Sequence, residues 1–176
     1  MSIKSKIRTI KDFPKPGIMF RDVSTLFSDA EGIKMIVNSF KETYDGRKDI
    51  DFIVGIESRG FIVGSLIASA LDKGFIMIRK PGKLPSETFS ISYDLEYGQD
   101  SVEIHKDAFP VGSRILIVDD LIASGGTALA AISLVEQLQG VVSELAFIVD
   151  LPDLGGSKKI TNKGYKIFYL TQFEGK

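Results

Sequence analysis

The run Ile115-Leu-Ile-Val118, with Asp119-Asp120 directly after it, limits the folds open to this chain more than any other stretch. Four branched apolar residues in succession are typical of a strand that is buried on both faces of a parallel sheet. A short loop, Ala123-Ser-Gly-Gly-Thr127, follows, and a helix is predicted over Ala128–Gln139. A strand that leads through a tight loop into a helix is the basic unit of an α/β fold.

The loop over residues 123–127 has the composition of an anion-binding site. Its glycines let backbone N–H groups approach an anion, Ser124 and Thr127 add hydroxyl groups, and the dipole of the following helix favours negative charge. The two carboxylates before the loop can accept hydrogen bonds from sugar hydroxyls or attract a divalent cation. The loop lacks the Lys of a Walker motif and the Gly spacing of a dinucleotide-binding motif. An ordinary polar turn is the alternative, but the combination predicts a site for a phosphorylated sugar.

The rest of the chain alternates between strand-like and helix-like segments. Helices are predicted at 2–10, 30–44 and 61–71, and strands at 51–56, 75–78, 144–149 and 165–170. Residues 86–103 predict an antiparallel excursion, with 102–105 pairing across it. The alternation predicts a parallel sheet, and ligands of such sheets bind beyond the carboxyl ends of the strands. One rim of the molecule should then carry residues 57–60, 79–83, 119–127 and 150–151.

Two other loops on this rim also suit an anion. Residues 57–60 stand between a strand and a helix, where backbone N–H groups and Arg59 can hold a negative charge. Arg79, Lys80 and Lys83 place three cations on a turn that Pro81-Gly82 bends. Taken alone, the charges of each loop indicate only a solvated polar surface. Three such loops on one rim favour a ligand with more than one phosphate.

The composition limits which functions are open. With 176 residues the chain fits one domain, and its net charge of −1 gives no general attraction to nucleic acid or to a membrane. The absence of Cys excludes a disulfide framework, a thiolate zinc site and a Cys nucleophile. His105 is the one histidine, which excludes a multi-His metal site, and we assign it no chemistry. Because no signal core or membrane-length apolar run is present, we expect a cytoplasmic protein.

The sequence resembles the type I phosphoribosyltransferases, and within them the adenine phosphoribosyltransferase family. The apolar run, acidic pair and Ser-Gly-Gly-Thr loop match the motif that binds phosphoribosyl pyrophosphate (PRPP). Four further segments match in order and spacing: Phe13–Asp22, Gly55–Phe61, Ile78–Pro85 and Tyr93–Gly98. The matches span residues 13–128, and Ser58 and Ser124 stand where many members have Ala and Thr.

The resemblance implies a fold and a reaction. The fold is one phosphoribosyltransferase domain over 1–176, an α/β parallel-sheet core with an N-terminal hood at 1–30 and an antiparallel flap at 84–106. The reaction joins adenine to PRPP and releases AMP and pyrophosphate, as in purine salvage. Mg²⁺ is the implied cofactor, held by PRPP near the acidic pair with no direct protein ligand. A homodimer is also implied.

The resemblance assigns a role to each site residue by its position in the motifs. The implied adenine-binding residues are Met19, Phe20, Arg21 and Leu151, and those for pyrophosphate are Ser58, Arg59, Arg79, Lys80 and Lys83. The implied PRPP- and AMP-binding residues are Asp119, Asp120, Ala123, Ser124, Gly125, Gly126 and Thr127, and the implied catalytic residues are Glu96 and Tyr97. Two alternatives stay open: a transferase for another purine such as xanthine or guanine, and a non-catalytic PRPP-binding regulator.

Overall fold

The computed structural model describes residues 2–94 and 98–175. In chain order its strands are β1 (Arg8–Lys11), β2 (Met19–Asp22), β3 (Phe52–Ile56), β4 (Gly74–Ile78), β5 (Thr88–Asp94), β6 (Gln99–His105), β7 (Arg114–Ile122), β8 (Val141–Asp150) and β9 (Ile167–Gln172). Its α-helices are α1 (Ser24–Phe27), α2 (Ala30–Tyr44), α3 (Arg59–Ala70), α4 (Gly126–Gln137) and α5 (Gly156–Asn162), and short 3-10 turns occupy Lys4–Lys6 and Pro152–Leu154. Within the described ranges, none of the helices combines the length and apolarity that crossing a membrane requires.

Five strands form one parallel sheet in the order β4-β3-β7-β8-β9, which confirms the predicted architecture. β7 lies at the centre of the sheet, and the four residues Ile115–Val118 are fully buried. Successive side chains of a strand point to opposite faces. Ile115 and Ile117 therefore share a core cluster with α4, whereas Leu116 and Val118 share one with α2 and α3. The sheet carries a helical layer on each face.

Three helices follow the periodicity of the sequence with small shifts at their ends, whereas the short helices α1 and α5 are not predicted. α2 covers the predicted range, and Asp29 caps it by accepting a hydrogen bond from the backbone N of Glu31 at 3.0 Å. α3 and α4 each begin two residues earlier than predicted. Gly60 and Gly126, which the sequence assigns to loops, lie inside these helices.

The predicted helix over residues 2–10 is wrong. Only Lys4–Lys6 form a 3-10 turn, and β1 pairs antiparallel with β2 so that Thr9 lies opposite Arg21. A helix this short gains little from its own hydrogen bonds, and packing elsewhere decides the conformation. Ile3 and Ile7 are buried in the same core cluster as Leu26 of α1.

β5 and β6 form a second antiparallel hairpin, as predicted for this region. Thr88 lies opposite His105, and Asp94 lies opposite Gln99. Val102 and Ile104 are buried in the core cluster that contains α4, so one face of the hairpin belongs to the core. The two hairpins fall within the ranges predicted for the hood (1–30) and the flap (84–106), and the boundaries of those two segments stay predictions.

Candidate active site

A cavity of about 390 Å³ lies beyond the carboxyl ends of β3 and β7. Its wall contains the acidic pair Asp119-Asp120 and the whole loop 123–127, together with Ser58, Arg59 and Lys80. Three of the loops that the sequence places on one rim thus contribute to a single cavity. The β5–β6 hairpin completes the wall through Tyr93, Asp100 and Val102.

In the wall of this cavity Asp120 is buried and Asp119 is half-buried. Asp120 is 3% exposed, and the Arg59 Nε atom lies 3.0 Å from Asp120 Oδ2. That contact lacks hydrogen-bond geometry, and Asp120 Oδ2 has no hydrogen-bond donor in the described part of the chain. Burial and the neighbouring Asp120 raise the pKa of Asp119 well above its usual range. Burial also raises the pKa of Asp120, although Arg59 opposes this. A ligand that brings hydroxyl groups or a cation would offset the free-energy cost of burying these two neighbouring carboxylates.

Gly60 explains how Arg59 comes so close to the acidic pair. A Cβ at Gly60 would lie 2.9 Å from Asp119 Oδ1 and 2.9 Å from the carbonyl oxygen of Val118. Because glycine has no Cβ, the first turn of α3 can pack directly on the end of β7. The sequence pattern places Gly60 in a polar loop. The packing role of Gly60 depends on contacts with β7 that the sequence does not display.

The loop 123–127 is shaped by two glycines from different parts of the chain. Gly125 has φ +84°, and α4 begins at Gly126, so the loop ends where the N–H groups of a helix lack partners. Gly156, the first residue of α5, donates its N–H to the carbonyl oxygen of Ala123 at 2.9 Å. Lys159 Nζ donates to the carbonyl oxygen of Ser124 at 3.1 Å. α5 therefore supports the loop and adds a positive charge beside it.

The basic turn after β4 is held by Glu57. Its carboxylate accepts hydrogen bonds from the backbone N of Lys80 at 2.7 Å and from Arg79 Nη2 at 3.0 Å. The hydrogen bond from Arg79 lowers the pKa of Glu57 below its usual value, so this carboxylate is charged at neutral pH. Arg79 Nη1 also donates to the carbonyl oxygen of Lys83 at 3.3 Å. Of the three predicted cations on this turn, the structure places Lys80 in the cavity wall, and Arg79 and Lys83 outside it.

The residues predicted to bind adenine lie on β2 and after β8, outside the wall of the 390 Å³ cavity. The rings of Phe20 and Phe13 meet edge to face with their centroids 5.2 Å apart. Met19 precedes Phe20 on β2, and both side chains are half-buried. Leu151 is fixed by its backbone N, which donates to the carbonyl oxygen of Ile122 at 3.0 Å.

The Arg21 side chain is committed to packing. Its guanidinium donates to Thr9 Oγ1 at 2.7 Å and to the carbonyl oxygen of Glu174 at 3.0 Å, and it stacks over the Phe173 ring at 4.6 Å. The backbone N of Phe173 in turn donates to the carbonyl oxygen of Asp150 at 3.1 Å. These contacts attach the β1–β2 hairpin to the carboxyl end of β8, beside Leu151.

Glu96 and Tyr97, the predicted catalytic residues, lie outside the described residues.

Comparisons with known proteins agree with this geometry. Residues 26–167 match the phosphoribosyl transferase domain family. An adenine phosphoribosyltransferase of Chlorobium luteolum is 58% identical over 176 residues, which is 99% of each chain. The crystal structure of the adenine phosphoribosyltransferase of Thermoanaerobacter pseudethanolicus is 47% identical, has a TM-score of 0.91 and covers 97% of this chain and 98% of its own.

A third relative was crystallised with ligands. The adenine phosphoribosyltransferase of Saccharomyces cerevisiae, complexed with D-2,5-dideoxy-2,5-imino-altritol 1,6-bisphosphate and adenine, is 41% identical with a TM-score of 0.88 over 96% of both chains. On the full-length identity, the domain match and the shared fold, this chain belongs to the adenine phosphoribosyltransferase family.

Proposed function

We propose that this protein transfers the phosphoribosyl group of PRPP to N9 of adenine, giving AMP and pyrophosphate in a purine salvage reaction. The observation that carries the proposal is the meeting of Asp119, Asp120 and the loop 123–127 with Arg59 and Lys80 in one cavity. A ribose with a phosphate at one end and a pyrophosphate at the other requires hydroxyl acceptors between two anion sites. The names of the full-length relatives support adenine as the accepting base.

The charges of the cavity suit the reaction. The bond between the anomeric carbon and the pyrophosphate oxygen breaks, the bond to N9 forms, and the proton of N9 passes to a base, the role that the family resemblance gives to Glu96. Positive charge develops on the ribose while negative charge grows on the leaving group. Arg59 and Lys80 would stabilise the leaving pyrophosphate, and Asp119 and Asp120 would hold the ribose hydroxyls beside the developing cation. No covalent bond to the protein is needed.

Mg²⁺ is the cofactor that we propose. Asp120 Oδ2 is buried and has no hydrogen-bond donor among the described residues, so the acidic pair can accept hydrogen bonds from the water of a cation that PRPP itself holds. When bound, Mg²⁺ would neutralise the charge of the pyrophosphate group.

The roles of the remaining predicted residues extend this proposal. Phe20 and Leu151 would cover the two faces of adenine, and Glu96 with Tyr97 would act at the base nitrogen, a role that rests on the family resemblance. We also propose a cytoplasmic homodimer. Ile62 of α3 and Met77 of the edge strand β4 are each 42% exposed, which offers apolar surface to a second copy. Light scattering on the purified protein tests the dimer.

One assay tests the reaction and its substrate together. The protein is mixed with Mg²⁺, PRPP and one purine at a time, and the nucleotide formed is identified by chromatography. We expect AMP from adenine, with loss of the activity when Mg²⁺ is chelated. Faster conversion of guanine or xanthine would contradict the choice of base while leaving the reaction class intact. PRPP binding without any nucleotide product would indicate a regulator.

A further inference from the structure

Four side chains connect the two anion sites of the cavity. The Lys80 ammonium pairs with Asp100 Oδ2 of β6, and the Tyr93 hydroxyl of β5 donates to that same oxygen at 3.2 Å. Thr127 Oγ1 donates to the Tyr93 hydroxyl oxygen at 3.1 Å. All four residues line the cavity. The basic turn and the loop 123–127 are thus joined through the β5–β6 hairpin.

The first and last residues in this series of contacts, Lys80 and Thr127, are residues that bind the phosphates of PRPP in the proposed function. Lys80 would bind the pyrophosphate, and Thr127 would bind the 5-phosphate. The single proton of the Thr127 hydroxyl is already donated to Tyr93. Thr127 must give up this hydrogen bond before it can donate to a phosphate. At the other end, the Asp100 carboxylate would repel an incoming pyrophosphate.

The pair at the Lys80 end is charged and displaceable. The hydrogen bond from Lys80 lowers the pKa of Asp100. Burial lowers the pKa of Lys80, but the contacts with Asp100 and Tyr93 together outweigh it, and the pKa lies above its usual value. The side chains of Lys80 and Asp100 are 39% and 29% exposed, and ion pairs this accessible contribute little net free energy. A multiply charged pyrophosphate can therefore compete with Asp100 for the ammonium.

We infer that Asp100 and Tyr93 are positioning residues that compete with PRPP for Lys80 and Thr127, so that PRPP binding releases the β5–β6 hairpin from both anion sites. This inference rests on the proposed function. Without substrate, the two contacts hold the phosphate-binding side chains in the cavity wall. With PRPP bound, the pyrophosphate replaces the contact of Asp100 with Lys80, and the 5-phosphate replaces the contact of Tyr93 with Thr127. The attachment of the β5–β6 hairpin to the two anion sites therefore depends on whether PRPP is bound.

Calorimetry with pyrophosphate plus Mg²⁺, and separately with ribose 5-phosphate, tests each end of the chain of contacts. We expect Asp100→Asn to tighten pyrophosphate binding roughly three- to tenfold, because a repelling charge near the site is removed. Its affinity for ribose 5-phosphate should stay within about twofold. Tyr93→Phe should show the reverse pattern, with ribose 5-phosphate bound about two- to fivefold more tightly because Thr127 no longer donates to Tyr93.

The direction of the change separates this inference from a purely structural role. A residue that only supports the fold would weaken both ligands when it is replaced. Glu87→Gln is the matched control, because Glu87 is a carboxylate just before β5 that is 81% exposed and pairs with Lys106 at 3.1 Å. Glu87→Gln removes one negative charge, as Asp100→Asn does, and should leave the affinities for pyrophosphate and for ribose 5-phosphate unchanged. If Asp100→Asn does not fold, Asp100→Ala makes the same comparison.

The outcomes also separate the inference from the proposed function. Wild-type protein that binds both ligands, with Asp100→Asn binding pyrophosphate equally or less tightly, would overturn the inference alone. Wild-type protein that binds neither ligand would overturn the proposed function and the inference with it. The purine assay decides the substrate independently of either variant.

Discussion

Gly156 approaches Ala123 so closely that a Cβ on Gly156 would lie 2.3 Å from the carbonyl oxygen of Ala123. The same Cβ would lie 2.7 Å from the backbone N of Gly125, so the first residue of α5 leaves no room beside the loop 123–127. The shape of the proposed phosphate site thus depends on a glycine about thirty residues beyond it in the sequence. Its backbone N–H, which donates to Ala123, fixes the distance between the two segments.

Gly156→Ala should therefore damage phosphate binding. Its Cβ meets backbone atoms, which cannot move aside as a flexible side chain can, so the loop has to shift. We expect KM for PRPP to rise by roughly tenfold or more, since small displacements at a positioned site are costly. Steady-state kinetics with saturating adenine measures this change. Gly46→Ala is the control, because it strains a φ of +72° but its Cβ meets nothing within 4 Å. An unchanged KM for PRPP in Gly156→Ala would show that Gly156 does not shape the phosphate site.

Asp119→Asn should lower activity and raise stability. Burial and Asp120 raise the pKa of Asp119, so the folded state disfavours the charged form of this carboxylate. The folded protein therefore holds this proton to higher pH than the unfolded chain, and this contribution to stability is lost as pH rises above the unfolded pKa of 3.8. Asn is neutral and can still accept the 2.8 Å hydrogen bond from Asp120 N. At pH 7 we expect Tm to rise by about 2–4 °C or more, while turnover falls about a hundredfold. A lower Tm would contradict this reading of the acidic pair.

Lys159→Met tests the charge that α5 adds beside the loop. Lys159 Nζ donates to the carbonyl oxygen of Ser124, and the ammonium thereby stands next to the proposed 5-phosphate site. We expect KM for PRPP to rise roughly three- to fivefold, the scale of one exposed charge, with a smaller effect at high salt. Lys158→Met removes the neighbouring exposed cation and is the matched control. Equal effects of the two variants would point to the overall charge of α5 rather than to Lys159.

The N-terminal hairpin should carry an acid-sensitive part of the stability. Hydrogen bonds from Ser24 and Arg8 lower the pKa of Asp22 to about 2. Because the folded pKa lies below the unfolded value of 3.8, this contribution is present above pH 4 and is lost as pH falls toward 2. Asp22→Asn should destabilise the protein at pH 6 and show a flatter decline between pH 4 and pH 2. Urea unfolding at several pH values measures both curves, and parallel curves would exclude Asp22 as the source.

The sequence predicts the sheet and the centre of the site because these depend on local pattern. Ile115–Val118 divide between two core clusters as a buried strand requires, and the acidic pair with the loop 123–127 lines one cavity. What the sequence hides depends on contacts between distant segments. Gly156 and Asp100 act through neighbours that lie far from them along the chain, and no local pattern marks either residue. The wrong helix over residues 2–10 has the same cause, since pairing with β2 overrides a weak local preference.

Phe20→Ala should separate base binding from hairpin packing. Phe20 and Phe13 form one edge-to-face pair with centroids 5.2 Å apart, so Phe20→Ala and Phe13→Ala each remove that contact. Only Phe20 is expected to stack on adenine, an interaction worth roughly 1–3 kcal/mol per base. KM for adenine should therefore rise at least about fivefold in Phe20→Ala and change little in Phe13→Ala, with KM for PRPP unchanged in both. Because KM need not equal Kd, calorimetry with adenine and a non-reacting PRPP analogue should accompany the kinetics. If the two variants lose adenine affinity equally, the aromatic pair acts through hairpin packing, and Phe20 has no separate part in holding the base.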